Sequence, residues 1–245
     1  MYRLNFKVVK MRLLITFEPI DDAEYSEINK YDLQGFIYSL LREDENYKNL
    51  HNVQGFKFFN FSNIFPISKF ERNNLKKLIV SSPDKFLINA LYSSLKNKNT
   101  FRLNKYKMEL LKVKILRNND CFNFISATPI VLFKDNKINR YYSFKQNPDF
   151  NFFLNRVKDN SIKKYNAFYD DEFELNGNLF SSFEFVREVS IRIKKNGNSF
   201  IVIGSLWRDL EVNLTKDNKK FYKFLFDTGL GEKNSLGFGF LNCKR

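Results

Sequence analysis

The sequence predicts an α+β protein built from two tandem ferredoxin-like (RRM-like) folds, each running β-α-β-β-α-β. Three observations carry that prediction. Short runs rich in strand formers are bounded by turn residues. Between them, two stretches in each half repeat apolar residues at helical spacing. The order of the two patterns is the same in both halves.

Residues 11–18 (MRLLITFE) form the first expected strand, stopped by Pro19. After the acidic turn Asp21-Asp22-Ala23-Glu24, the spacing of Leu33, Phe36, Ile37, Leu40 and Leu41 predicts a helix with one buried face. Residues 53–67 read as strand because GFKFFNFSNIF has many aromatics and little helical period, and 75–80 as another. Pro83 opens a second helix carrying Phe86, Leu87, Ala90, Leu91 and Leu95, and 108–116 (MELLKVKIL) closes the first set. The second set begins after Asn118-Asn119-Asp120 with 124–133, broken at Thr128-Pro129. It continues with a helix within 150–169 and strands 186–194 and 199–207, joined at Lys195-Asn196-Gly197-Asn198. A short helix over 219–226 and a strand over 236–242 complete it. The expected division is 1–120, with the candidate catalytic residues, and 121–245, with a glycine-rich loop, packed rigidly on one another.

In 245 residues, 41 Lys plus Arg stand against 27 Asp plus Glu, a net charge of +14. That excess attracts polyanions, nucleic acid first and an anionic membrane surface second. The 29 Phe and 12 Tyr suit stacking on unpaired bases, although most Phe belongs in a core. No run approaches the roughly 18 apolar residues of a membrane span. The N-terminal 17 residues read as alternating strand with charges at Arg3, Lys7, Lys10 and Arg12, without the apolar core of a signal peptide. A cytoplasmic protein with no membrane partner is expected. Cys121 and Cys243 lie far apart, with no CxxC and no partner histidines, so no zinc site or disulfide framework is recognisable.

The first helix leaves Tyr31, Gln34, Tyr38 and Arg42 together, opposite its apolar stripe. Half-exposed tyrosine is ordinary, so this face alone identifies nothing. Beyond it comes Tyr47-Lys48-Asn49-Leu50-His51, holding the only histidine, and Lys57 follows six residues later. A lone histidine is more often a hydrogen-bonding boundary residue than a catalyst. Tyrosine, histidine and lysine nevertheless suit one reaction. Cutting RNA without metal needs a base for the 2′-OH proton and an acid for the departing 5′-oxygen. A fixed cation then offsets charge growing on phosphorus. Spacing does not place the three together.

The runs YDLQGFIYSLL and LHNVQGFKFFNFSNIF resemble the CRISPR repeat-processing endoribonucleases, the Cas-six family, in their archaeal type. SATPI and the C-terminal GLGEKNSLGFGF are similar to the same family, so the likeness runs from Met11 to the C-terminus. It implies a metal-independent endoribonuclease, without cofactor, that cleaves CRISPR precursor RNA within repeats to 5′-hydroxyl and 2′,3′-cyclic phosphate ends. Position by position, it implies Tyr38 as general base, His51 as general acid and Lys57 as the stabilising lysine. The loop between Tyr38 and His51 is a little shorter than in the family pattern. The implied partners are CRISPR repeat RNA and a CRISPR effector complex, with monomer and homodimer both open. The alternative is a non-catalytic repeat-RNA-binding subunit of a larger complex.

Gly229, Gly231, Gly237 and Gly239 flank Glu232-Lys233-Asn234-Ser235 in neither P-loop nor Rossmann spacing. Such a loop can turn backbone N–H groups toward an anion, or it can simply connect the last helix to the last strand tightly. With the resemblance, Gly229, Gly231, Lys233, Asn234, Ser235, Gly237 and Gly239 are expected to contact RNA. LGFGFLNC departs from the RNP1 motif at its first and last positions and lies on the wrong strand, so an RRM-type binding surface is rejected. Asp21/Asp22 and Asp170/Asp171/Glu172 could hold Mg²⁺ ions, but both sit in turn-like sequence and no metal site is expected.

Overall fold

A computed structural model describes residues 11–117, 120–135, 140–195 and 197–244. The expected strand over residues 1–10, the junction residues Asn118 and Asn119, and Asn196 of the hairpin turn lie outside the described residues. The first half runs β1 (Met11–Pro19), α1 (Lys30–Leu41), β2 (Asn60–Phe61), β3 (Lys76–Ser82), α2 (Lys85–Leu95), β4 (Thr100–Leu103) and β5 (Tyr106–Arg117). The second runs β6 (Asn123–Ser126), β7 (Phe133–Asp135), β8 (Arg140–Tyr141), α3 (Phe150–Tyr169), β9 (Ser182–Lys195), β10 (Asn198–Glu211), α4 (Lys219–Thr228) and β11 (Leu241–Cys243).

The first sheet has the order β2-β3-β1-β5-β4, the second β11-β6-β10-β9, and their strand pairs are antiparallel. Setting aside the edge strand β4, both sheets order their four core strands fourth-first-third-second. That is the ferredoxin-like arrangement twice over. On β1, Leu13, Ile15 and Phe17 are fully buried, the period of two that a strand imposes. They pack with Leu33, Phe36 and Ile37 of α1 and Leu87, Ile88 and Leu91 of α2 in one core. A second core gathers Trp207 of β10, Phe153 and Val157 of α3, and Phe221 and Leu225 of α4.

Four expectations are corrected. Of residues 53–67, only Asn60–Phe61 is strand. Gly55 and Phe58 adopt positive φ, and the aromatics separate: Phe59 and Phe61 enter the first core, while Phe58 packs on the second. The last strand is only Leu241–Cys243, because left-handed glycines and a 3₁₀ turn at Asn234–Leu236 occupy the residues before it. Pro83 precedes α2 rather than sitting in its first turn: Asp84 is the N-cap, its carboxylate accepting from the Phe86 and Leu87 amides. Finally, Cys121 and Cys243 form a disulfide, with Cα atoms 5.9 Å apart across 122 residues. Antiparallel pairing of β11 with β6 brings the two chain segments side by side.

The halves are joined by buried hydrogen bonds. The Arg12 guanidinium donates to Phe226 O (2.6 Å) and lies 3.6 Å above the Phe226 ring. Burial pulls its pKa down to about 10, against the opposing pull of Asp227. Ser81 Oγ donates to Asp227 O at 2.8 Å, and Asn60 Nδ2 donates to Thr228 O at 3.2 Å and Phe238 O at 2.9 Å. Among the described residues no helix is long and apolar enough to cross a membrane.

Candidate active site between the two halves

Helix α1 starts at a capping box. Asn29 Oδ1 accepts from the Tyr31 amide at 2.8 Å, and Asp32 Oδ2 accepts from the Asn29 amide at 2.8 Å. That start fixes the rotation of the helix, and with it the polar stripe. The stripe does not face open water. Tyr31 packs beside Val131, Ile193 and Phe238, with Lys195 Nζ 5.2 Å from its ring centroid. Gln34 Nε2 donates to Ser235 O at 2.9 Å and contacts Ser235 Oγ at 3.4 Å. Only Arg42 is exposed. Three of the four residues therefore meet the second half, and half-exposure was too simple a reading of that face.

The half-buried Tyr38 ring stands edge-on to Phe59, with centroids 5.7 Å apart at 88°. On another side lies His51, with ring centroids 6.1 Å apart and 60° between planes. Burial raises the pKa of the Tyr38 hydroxyl, and a hydrogen bond with the Ser235 side chain works in the opposite direction.

His51 sits in the 3₁₀ turn Leu50–Asn52, exposed, while Leu50 and Tyr47 pack against the core. The Tyr47 hydroxyl donates to Asp84 Oδ2 at 2.5 Å, so the carboxylate that caps α2 also ties down the His51 turn. Lys57 closes this loop on itself. Its Nζ donates to Val53 O and lies 3.5 Å from His51 O. Partial burial lowers its pKa. Tyr38, His51 and Lys57 thus meet in one place, from a helix, a one-turn loop and the approach to β2.

The glycine-rich segment lies against this site, and its glycines are taken up in close packing. A Cβ on Gly237 would strike the Phe61 ring, and one on Gly239 would strike Leu230 O, both at positive φ. Three of its four glycine amides are used within the protein: Gly229 N donates to Leu225 O (2.7 Å), Gly237 N to Asn234 O (2.8 Å) and Gly239 N to Pro129 O (2.7 Å). Two buried lysines hold the same segment, and nothing in the sequence marked them. Lys30 Nζ donates to Gly237 O at 2.7 Å and Asn63 Oδ1 at 3.0 Å. Lys164 Nζ donates to Gly229 O at 2.7 Å, Gly231 O at 3.2 Å and Asn234 Oδ1 at 2.8 Å. Burial pulls both ammonium groups down to about 7. Lys233, Asn234 and Ser235 stay partly accessible, with Lys233 Nζ 5.3 Å from the Phe133 ring centroid. A cleft between Phe56 of the His51–Lys57 loop and Lys233 is also lined by Arg156 and Lys163 of α3.

The candidate carboxylates serve turns. Asp21 Oδ2 accepts from the Lys107 amide, Asp170 is the left-handed cap of α3, and Asp171 Oδ1 accepts from the Glu172 amide. Among the described residues, no group of three or more His, Cys, Asp or Glu is placed to hold a metal ion.

The family described as CRISPR associated protein Cas6, C-terminal, matches residues 111–243. The CRISPR-associated endoribonuclease Cas6 2 of Methanocaldococcus jannaschii is 44% identical over 239 residues, 95% of this chain and 99% of that protein. The CRISPR-associated endoribonuclease Cas6 of Haloferax mediterranei is 23% identical, over 95% of this chain and 93% of its own length. A solved structure titled CRISPR associated protein Cas6 superposes with a TM-score of 0.70 at 24% identity, covering 96% of this chain and 100% of the other. Another, titled an RAMP protein binding different RNA substrates, gives 0.68 at 18%, covering 96% and 100%. By its family match and by a relative this similar along nearly its whole length, the chain belongs to the Cas6 family of CRISPR-associated proteins.

Proposed function

We propose that the chain is a metal-independent endoribonuclease that cuts CRISPR precursor RNA within its repeats. The observation that carries the reading is the meeting of Tyr38, His51 and Lys57 at one surface point. As phenolate, Tyr38 takes the 2′-OH proton while the 2′-oxygen bonds to phosphorus. The P–O5′ bond breaks, and imidazolium His51 protonates the leaving 5′-oxygen. The products are a 2′,3′-cyclic phosphate and a 5′-hydroxyl, and the proton balance between the two residues is restored through water. Lys57 offsets negative charge on the phosphorane oxygens. Lys233, and the rim of the glycine-rich loop at Asn234 and Ser235, supply phosphate contacts. Gly229, Gly231, Gly237 and Gly239 give that loop its shape.

The test is cleavage of repeat RNA in excess chelator by the wild type and by His51→Ala. Loss of general acid catalysis is worth about 10²–10⁴-fold in rate, so His51→Ala should cut slower by that factor and still bind RNA. Wild-type cleavage should be indifferent to chelator. Chelator-sensitive cutting, or full activity in His51→Ala, overturns the mechanism. RNA binding without cleavage by the wild type would make the chain a binding subunit instead.

A further inference from the structure

A tyrosine hydroxyl with an ordinary pKa near 10 is a weak base at neutral pH, and burial at this site makes Tyr38 weaker still. Something must orient the hydroxyl and favour its ionised form. The group in reach is Ser235, at the centre of the 3₁₀ turn of the glycine-rich segment and bonded to Gln34, one helical turn before Tyr38 on the same face of α1. Its position is fixed from both halves of the molecule. From the first half, Gln34 Nε2 donates to Ser235 O at 2.9 Å and makes a longer contact to Oγ at 3.4 Å. From the second, Lys164 grips the neighbouring Asn234 Oδ1 at 2.8 Å, and Asn234 Nδ2 in turn donates to Leu230 O at 3.0 Å and Phe238 O at 2.9 Å.

A serine hydroxyl has one proton to donate. With the Gln34 amide approaching Oγ as a donor, that proton is left for another acceptor, and Tyr38 is the group whose hydroxyl interacts with this side chain. A hydrogen bond donated to a phenolate favours the charged form. We propose that Ser235 is a positioning residue for the reaction, donated by the glycine-rich loop, that holds the Tyr38 oxygen in orientation and supports its ionised state. The active centre is then completed only when both halves are docked. This rests on Tyr38 acting as the base.

The experiment is single-turnover cleavage of repeat RNA across pH 6–10 (roughly the window below the ordinary tyrosine pKa) by wild type, Tyr38→Phe, Ser235→Ala and Gln34→Met. RNA affinity is measured in parallel. A hydrogen bond to a charged group predicts that Ser235→Ala slows cleavage about tenfold or more. The loss should lie in the rate at saturating enzyme and at every pH of the window, because a phenolate that is harder to form is scarcer throughout it, whatever RNA affinity the lost loop contact costs. Gln34→Met should slow the saturated rate in the same way by less, and it decides the matter if Ser235→Ala does not fold. Inactive Tyr38→Phe together with a Ser235→Ala profile that superimposes on wild type overturns the inference alone. So does a Ser235→Ala defect that lies wholly in RNA affinity. Full activity in Tyr38→Phe removes the base itself and overturns the mechanistic reading with it.

Discussion

The two segments that meet at the candidate site are built in opposite ways. Residues 51–57 form an exposed loop whose cation, Lys57, bonds carbonyls of its own loop and whose histidine faces solvent. Residues 229–239 lie largely buried, gripped by Lys30 from the first half and Lys164 from the second. The contrast teaches a division of labour. Groups that must reach a substrate sit on a loop anchored at its base by Tyr47 and otherwise open to solvent, and the segment that faces Tyr38 is buried and held from both halves.

Substitutions that strain each segment in turn can break that comparison. The largest effect belongs to Gly239→Ala. Its backbone is left-handed, and a Cβ would drive into Leu230 O, which leaves no flexible group to yield. Left-handed strain of about 1 kcal/mol or more adds to overpacking of about 1–3 kcal/mol, so a loss of about 2–4 kcal/mol is expected. Urea unfolding measures it. A loss below about 1 kcal/mol, the strain alone, would show that the segment is not the rigid partner described.

The next effect is on pH dependence. Lys30 and Lys164 have folded pKa values of about 7 against 10.5 in the unfolded chain. Between those limits the unfolded state binds more protons, so stability rises with pH through the window. Below about pH 7, where both states are protonated, the whole cost of burying the charges is present. Tyr25, Tyr165 and Tyr222, pushed up to about 12 by burial, act oppositely and take stability away as pH climbs past 10. The urea midpoint should therefore rise from pH 7 to about 9.5 and turn over above 10. Relief of the net charge of +14 also favours higher pH, so Lys164→Met is the control. Its midpoint should rise less steeply than that of the wild type, and an equal slope would sink the assignment.

How much of this was legible follows the range of the interactions. Helix α3 spans Phe150–Tyr169, the stretch its periodicity marked, because a local pattern decided it. The strand order of both sheets likewise followed from the order of elements. Strand β4 was missed although Thr100–Leu103 alternates exposed and buried before the turn at Asn104-Lys105. Four residues carry too little period to stand out. The polar face of α1 was visible, but what it faced was not, since Ser235 lies 201 residues beyond Gln34. The same holds for the buried lysines, whose acceptors are 65 or more residues away in sequence apart from Asn63, which is 33 from Lys30. Residue types named Tyr38, His51 and Lys57 only through resemblance, because their meeting depends on a loop anchored by Tyr47 to Asp84, 37 residues on.

The smallest predicted effect tests the loose side of the comparison. Gly55 also has positive φ, yet a Cβ there would meet nothing within 4 Å. Gly55→Ala therefore carries the left-handed strain alone, about 1–2 kcal/mol if the backbone stays put. A loop free to relax gives part of that back, so the expected loss in urea unfolding is about 1 kcal/mol or less. The same relaxation would carry Lys57, two residues on, away from Val53 O and His51 O. Cleavage should then fall several-fold while stability barely moves, the reverse weighting of Gly239→Ala. Equal stability losses in the two variants would mean that the 51–57 loop is held as firmly as the glycine-rich segment, and the division of labour between them would fail.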